Sequence, residues 1–199
     1  MGAIPKTRLE AFSDGVIAII ITIMVLEMKA PYNAELIALQ PLLPVFLSYL
    51  LSFVFLGIYW NNHHHLLHAT KRINGQIMWA NLHLLFWLSL VPFVTSWLGR
   101  SHGGSWPTAF YGAVLLMAGF AYLTLQRCIV ASQGRNSLLA AALGNDWKGK
   151  LSLGSYALAL LLAFVNQWLA DALYVLVAIL WLIPDLRIER LAQTGASSD

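Results

Sequence analysis

Five stretches of this chain contain no Asp, Glu, Lys or Arg: residues 36–70, 73–99, 101–126, 151–170 and 172–184. Few environments accept such stretches. A soluble domain is about one-quarter charged residues, whereas only 11% of this chain is charged and 59% is hydrophobic. A bilayer instead demands about 20 mostly apolar residues per crossing, each rising 1.5 Å. The bilayer is therefore the solvent to reason with. A water-soluble enzyme, a disordered chain and a disulfide scaffold drop out, the last because Cys128 is the single cysteine. No soluble domain is left to carry chemistry.

The first three windows hold one predicted span each, at 44–67, 77–98 and 107–127. The last two read as a tight pair, 151–168 and 170–188, turning at Gln167 to Asp171. A further span precedes them. Thr7-Arg8-Leu9-Glu10 fits a capping box, with Thr7 as the cap and Glu10 reaching back. From there a helix over 7–30 is long enough to cross, ending before Pro31. Glu27, Lys29 and Pro31 follow its apolar stretch where a cleavage site would need small residues, so it reads as a retained span.

The expected fold is all-α: six transmembrane helices in one domain over 1–191, then a polar tail over 192–199. With both termini placed in the cytoplasm, ten of the twelve Lys and Arg fall inside, and only Lys29 and Arg100 fall outside. That asymmetry is the positive-inside pattern of a multi-pass protein of the cell (inner) membrane. It accounts for the net charge of +3 without nucleic acid as a partner. Trp79, Trp97, Trp106, Trp147 and Trp168 fall near predicted span ends, as an aromatic belt does. The segments 31–43 and 99–106 read as outer loops, the second containing Gly99. Residues 134–150 read as an inner loop with a short interfacial helix at Leu138 to Leu143. No motif occurs twice, so any symmetry comes from separate chains.

The first span carries the polar residues that lipid tolerates least. Asp14 lies near its inner end, Glu27 near its outer end and Thr22 midway. Ionisable groups at membrane depth normally face a bundle interior or water. Arg8-x-x-x-Phe12-Ser13-Asp14-Gly15, then Ile17-Ala18-Ile19 and Thr22, resembles the signature of the endolysosomal-type potassium channels, in their single-repeat prokaryotic branch. Trp60-x-x-His63 late in the second span agrees in order. So does Asn81 at the start of the third, with Pro92 eleven residues on, near that span's end. The resemblance covers residues 6–98. Relatives often carry a basic residue where this chain has His65.

The resemblance implies a homotetramer of six-span subunits, with the first helix lining a central pore for potassium ions and no cofactor. It implies a hydrophobic constriction seven, eleven and fourteen residues after Phe12, at Ile19, Ile23 and Leu26. A threonine layer serving selectivity falls on Thr22. Arg8, Ser13, Asp14, His63 and Asn81 would form a polar network holding the pore helix.

Residue spacing is compatible with this and with less. Positions 19, 22, 23 and 26 share one helix face. Residues 16–26 are apolar almost everywhere, however, so ordinary packing fits equally. Thr22 also suits a bond to the carbonyl one turn back. Arg8, Ser13 and Asp14 also suit a helix start, and Glu27 reads either as an outer cation-attracting ring or as an interface residue.

The run Asn61-Asn62-His63-His64-His65-Leu66-Leu67-His68 invites a metal reading, since His64 and His68 are one turn apart. No Asp, Glu or Cys lies nearby in sequence to complete a site, and HExxH is absent, so no metal is expected. The competing function is a proton-coupled secondary transporter using Asp14 and the His63–His68 cluster. Against it stand the missing repeat and the lack of a helix broken in midspan.

Overall fold

The computed structural model describes residues 5–32, 34–101, 104–134 and 146–182. Every element in them is helical. In chain order they are α1 (Lys6–Leu26), a 3₁₀ stretch (Leu36–Leu42), α2 (Leu43–His68), α3 (Gly75–Ser89), α4 (Val91–Arg100), α5 (Ser105–Gln133), α6 (Trp147–Leu162) and α7 (Gln167–Leu182). With α3 and α4 read as one rod, six rods alternate in direction. Four of them, 6–26, 36–68, 75–100 and 105–133, are long and apolar enough to cross a membrane. The interfacial helix expected at Leu138 to Leu143 and the tail 192–199 lie outside the described residues.

Several local expectations change. Thr7 does not cap α1: the helix begins one residue earlier, with Pro5 at the cap position and no side-chain capping bond. Proline's fixed φ suits entry into a helix, and Glu10 instead faces Lys6 at 3.7 Å. The helix ends at Leu26, four residues short of Ala30, and Met28 N–H folds back to the Val25 carbonyl. The last turn pairs α6 with α7 at residues 163–166, not Gln167 to Asp171. Asn166 is the reason: its side-chain oxygen accepts Trp168 N–H and starts α7.

The third rod is broken in midspan, which corrects the placing of Pro92. Proline cannot donate a backbone hydrogen bond to Leu88, so the ladder is interrupted there. Leu90 N–H bonds back to the Trp87 carbonyl at 3.2 Å, a tighter turn than the α-helical one, and α4 restarts with Pro92 in its first turn. Gly99, expected in a loop, is helical and buried in α4. A Cβ there would stand 2.7 Å from the Val45 Cα, so this glycine lets α4 lie directly on the start of α2.

At the centre stands α5, touching α3, α4, α6 and α7, while α1 leans on α2, α3 and α4. Between hydrocarbon chains and side chains the hydrophobic effect offers little, so contact geometry holds such rods together. Small residues set it. Gly112 leaves room for the Tyr174 hydroxyl, which donates to the Thr108 carbonyl at 3.0 Å. Leu56, Leu66, Leu84, Leu88, Leu115 and Leu125 fill the core between rods.

Candidate functional site

One stripe of α1, namely Leu9, Ser13, Ile17, Ile20 and Met24, is buried against the rest of the chain. At about 100° per residue, Phe12, Ile19, Ile23 and Leu26 lie roughly a third of a turn away. They are 52%, 59%, 43% and 77% exposed. Thr22 is exposed on the same side. The described residues thus leave this face of the first helix uncovered. Ile19 and Ile23 also form one wall of an open groove of about 800 Å³, whose other wall is Pro92, Phe93 and Trp97 of α4.

Thr22 donates its hydroxyl proton to the Ile19 carbonyl at 2.9 Å. Its lone pairs remain free to accept. The back-bond and a cation-facing role are therefore compatible.

The buried side of α1 is fastened by a directional chain of hydrogen bonds. His63 and Asn81 meet at 2.6 Å, and Asn81 Nδ2 donates to Ser13 Oγ at 2.9 Å. Ser13 Oγ in turn donates to the Leu9 carbonyl at 2.8 Å. Since the amide nitrogen of Asn81 points to Ser13, its oxygen faces His63, and His63 Nε2 must carry the proton. All three side chains are buried. One asparagine on α3 thus ties α1 and α2 together, and each donor in the chain finds an acceptor.

The predicted network is brought together only in part. Ser13, His63 and Asn81 join. Asp14 stands beside them and accepts Trp60 Nε1–H at 3.0 Å. Arg8 and Phe12 are exposed and lie outside this chain of bonds. Trp60 is the partner that a search for charged and polar residues misses, although it stands one turn before His63 in the sequence.

At the opposite end of α1, Glu27 does not offer a free charge. Arg100 Nη2 reaches its carboxylate at 2.8 Å and its carbonyl at 3.1 Å, and Ser96 Oγ donates to the same carboxylate at 3.0 Å. The guanidinium satisfies a helix-end carbonyl and explains why α1 stops there. The clue is available in the sequence: Arg100 and Glu27 fall on the same side of the predicted topology.

The histidines point in different directions. His63 enters the core, while His64 stacks between Trp60 and His68 along the exposed side of α2. Among the described residues no three His, Cys, Asp or Glu side chains are grouped to hold a metal ion.

Comparison with known proteins points the same way. The family model described as the endosomal/lysosomal potassium channel TMEM175 matches residues 8–92. A potassium channel of Chryseobacterium sp. (strain P1-3) is 52% identical over 185 residues, covering 93% of this chain and 96% of that one. A potassium channel of Streptomyces collinus is 32% identical over 126 residues, 59% of this chain and 61% of its own. Among solved structures, a lysosomal potassium-selective channel TMEM175 homolog from Chamaesiphon minutus superposes with a TM-score of 0.79. It shares 26% identity, and the match covers 90% of this chain and 97% of that one.

Proposed function

Because this chain belongs to the TMEM175 family of potassium channels, we propose that four copies surround a potassium-preferring pore lined by the exposed face of α1. The observation that carries this reading is the uncovered stripe Ile19, Thr22, Ile23 and Leu26, set on a helix that is clamped from its other side. Repeated around an axis, the stripe stacks three apolar rings and one hydroxyl ring over about 10 Å. An apolar ring too narrow for water stops an ion, because the ion cannot shed its hydration without replacement ligands. Slight widening rewets the ring, so the pore gates by diameter. The hydroxyl ring supplies oxygen ligands at one level only, which favours modest selectivity.

The transporter reading has less behind it. The midspan break at Pro92 removes one objection to it. Even so, the chain from His63 runs through an amide and ends on a backbone carbonyl, and neither passes a proton on. We place the protein in the cell membrane with both termini in the cytoplasm, as the distribution of basic residues favours.

Potassium flux into liposomes carrying the purified protein tests the proposal. Ile23→Asn puts a polar group into the middle apolar ring and is expected to raise resting flux at least several-fold by wetting it. Unchanged flux, or a detergent particle with the mass of a single chain, would overturn the reading.

A further inference from the structure

On the face opposite the N-terminus, α2 and α7 enter the bilayer side by side and run in the same direction. A groove of about 570 Å³ lies between them. Leu43, Leu47, Leu51 and Val54 line it from α2, and Val175 and Ile179 from α7. From Leu43 to Val54 and from Trp168 to Leu182 the walls extend roughly 17 and 21 Å. That is enough to span the hydrocarbon thickness of one leaflet, about 15 Å.

Its polar lining is small. Ser48 bonds to the Pro44 carbonyl at 2.9 Å. Asp171 is different: among the described residues its carboxylate has no hydrogen-bond or ion-pair partner, and it is only partly buried. It lies one turn into α7, about 6 Å below the start of the helix, where headgroups meet acyl chains. A lone carboxylate at that level is unfavourable unless a cation meets it. Few basic residues lie on that side: Arg100 is committed to Glu27, and Lys29 follows α1.

We propose that this groove seats a membrane phospholipid with a primary-ammonium headgroup, one acyl chain between α2 and α7 and the ammonium on Asp171. A primary ammonium both neutralises the carboxylate and donates hydrogen bonds to it. A choline headgroup has no N–H to donate, and an anionic headgroup is repelled. Trp168, exposed at the mouth of the groove, is placed at the headgroup level that tryptophan favours. The proposal rests on the membrane-spanning reading and is independent of ion conduction.

Native mass spectrometry of the detergent-solubilised protein, titrated separately with dioleoyl phosphatidylethanolamine, phosphatidylcholine and phosphatidylglycerol, tests it. The ethanolamine lipid is expected to bind roughly tenfold more tightly than the other two, the margin of one charge-assisted hydrogen bond. Asp171→Asn should abolish that preference and leave oligomeric mass and potassium flux unchanged. Val175→Phe, which fills the groove and keeps the carboxylate, should weaken all three lipids. Equal binding of the three lipids by the unaltered protein would overturn the proposal, as would an undiminished ethanolamine preference in Asp171→Asn. A disulfide between two copies carrying Val175→Cys in a Cys128→Ser background would also overturn it, because a second subunit would then cover the groove.

Discussion

Asn81 uses both ends of its amide, and few substitutions can imitate that. Replacing it with Leu leaves the His63 Nε2–H without its acceptor in a site closed to water, and deprives Ser13 of its donor. Asn81→Leu is expected to destabilise the protein by about 1–3 kcal/mol, read as a lower Tm in detergent. Ser13→Ala should lower Tm as well, since Asn81 Nδ2 then points at a methyl group. The two changes remove links of one chain, so the double variant should lose clearly less than the sum. Full additivity would show that the bonds act independently. Ser13, His63 and Asn81 are individually legible as polar residues in apolar segments. That Asp14 pairs with Trp60 is not, because an indole N–H leaves no charge pattern to find.

At the level of elements, glycines at rod crossings do more than glycines on open helix faces. A Cβ at Gly99 meets backbone, the Val45 Cα at 2.7 Å, which no rotamer change relieves. Gly99→Ala is therefore expected to cost about 1–3 kcal/mol as α4 is pushed off α2. At Gly57, inside α2, nothing stands within 4 Å of the place a Cβ would take. There Ala removes only the backbone freedom of glycine and should stabilise by up to about 1 kcal/mol. Thermal melts of the two variants should move in opposite directions. The same scale shows where spacing misleads: hydropathy sees residues 75–100 as one rod, and only the missing N–H of Pro92 reveals two. Helix ends slip for a related reason. Arg100 ends α1 from another rod, and no reading of α1 alone contains it.

In the whole assembly, the pair between Glu27 and Arg100 joins the end of the proposed pore helix to the broken third rod. A free ring of Glu27 would attract cations, so Glu27→Gln would lower conductance and Arg100→Ala would raise it. A paired clasp predicts something else: both changes release α1, and single-channel recordings should show open probability shifting in the same direction with each. Opposite shifts in conductance would restore the cation-ring reading. The sequence by itself determined the membrane-spanning, all-helical character of this protein, because charge-free windows of that length have no other tolerable solvent. Its family was legible too, since Arg8, Phe12, Ser13, Asp14 and Thr22 stand close together on one helix. Only the tertiary structure decided which side of α1 is buried, and which partners Asp14 and Glu27 take. Residues 16–26 are apolar all round, so periodicity cannot distinguish a face packed on the chain from a face left open. That distinction arises from α2, α3 and α4 closing on Leu9, Ser13, Ile17, Ile20 and Met24.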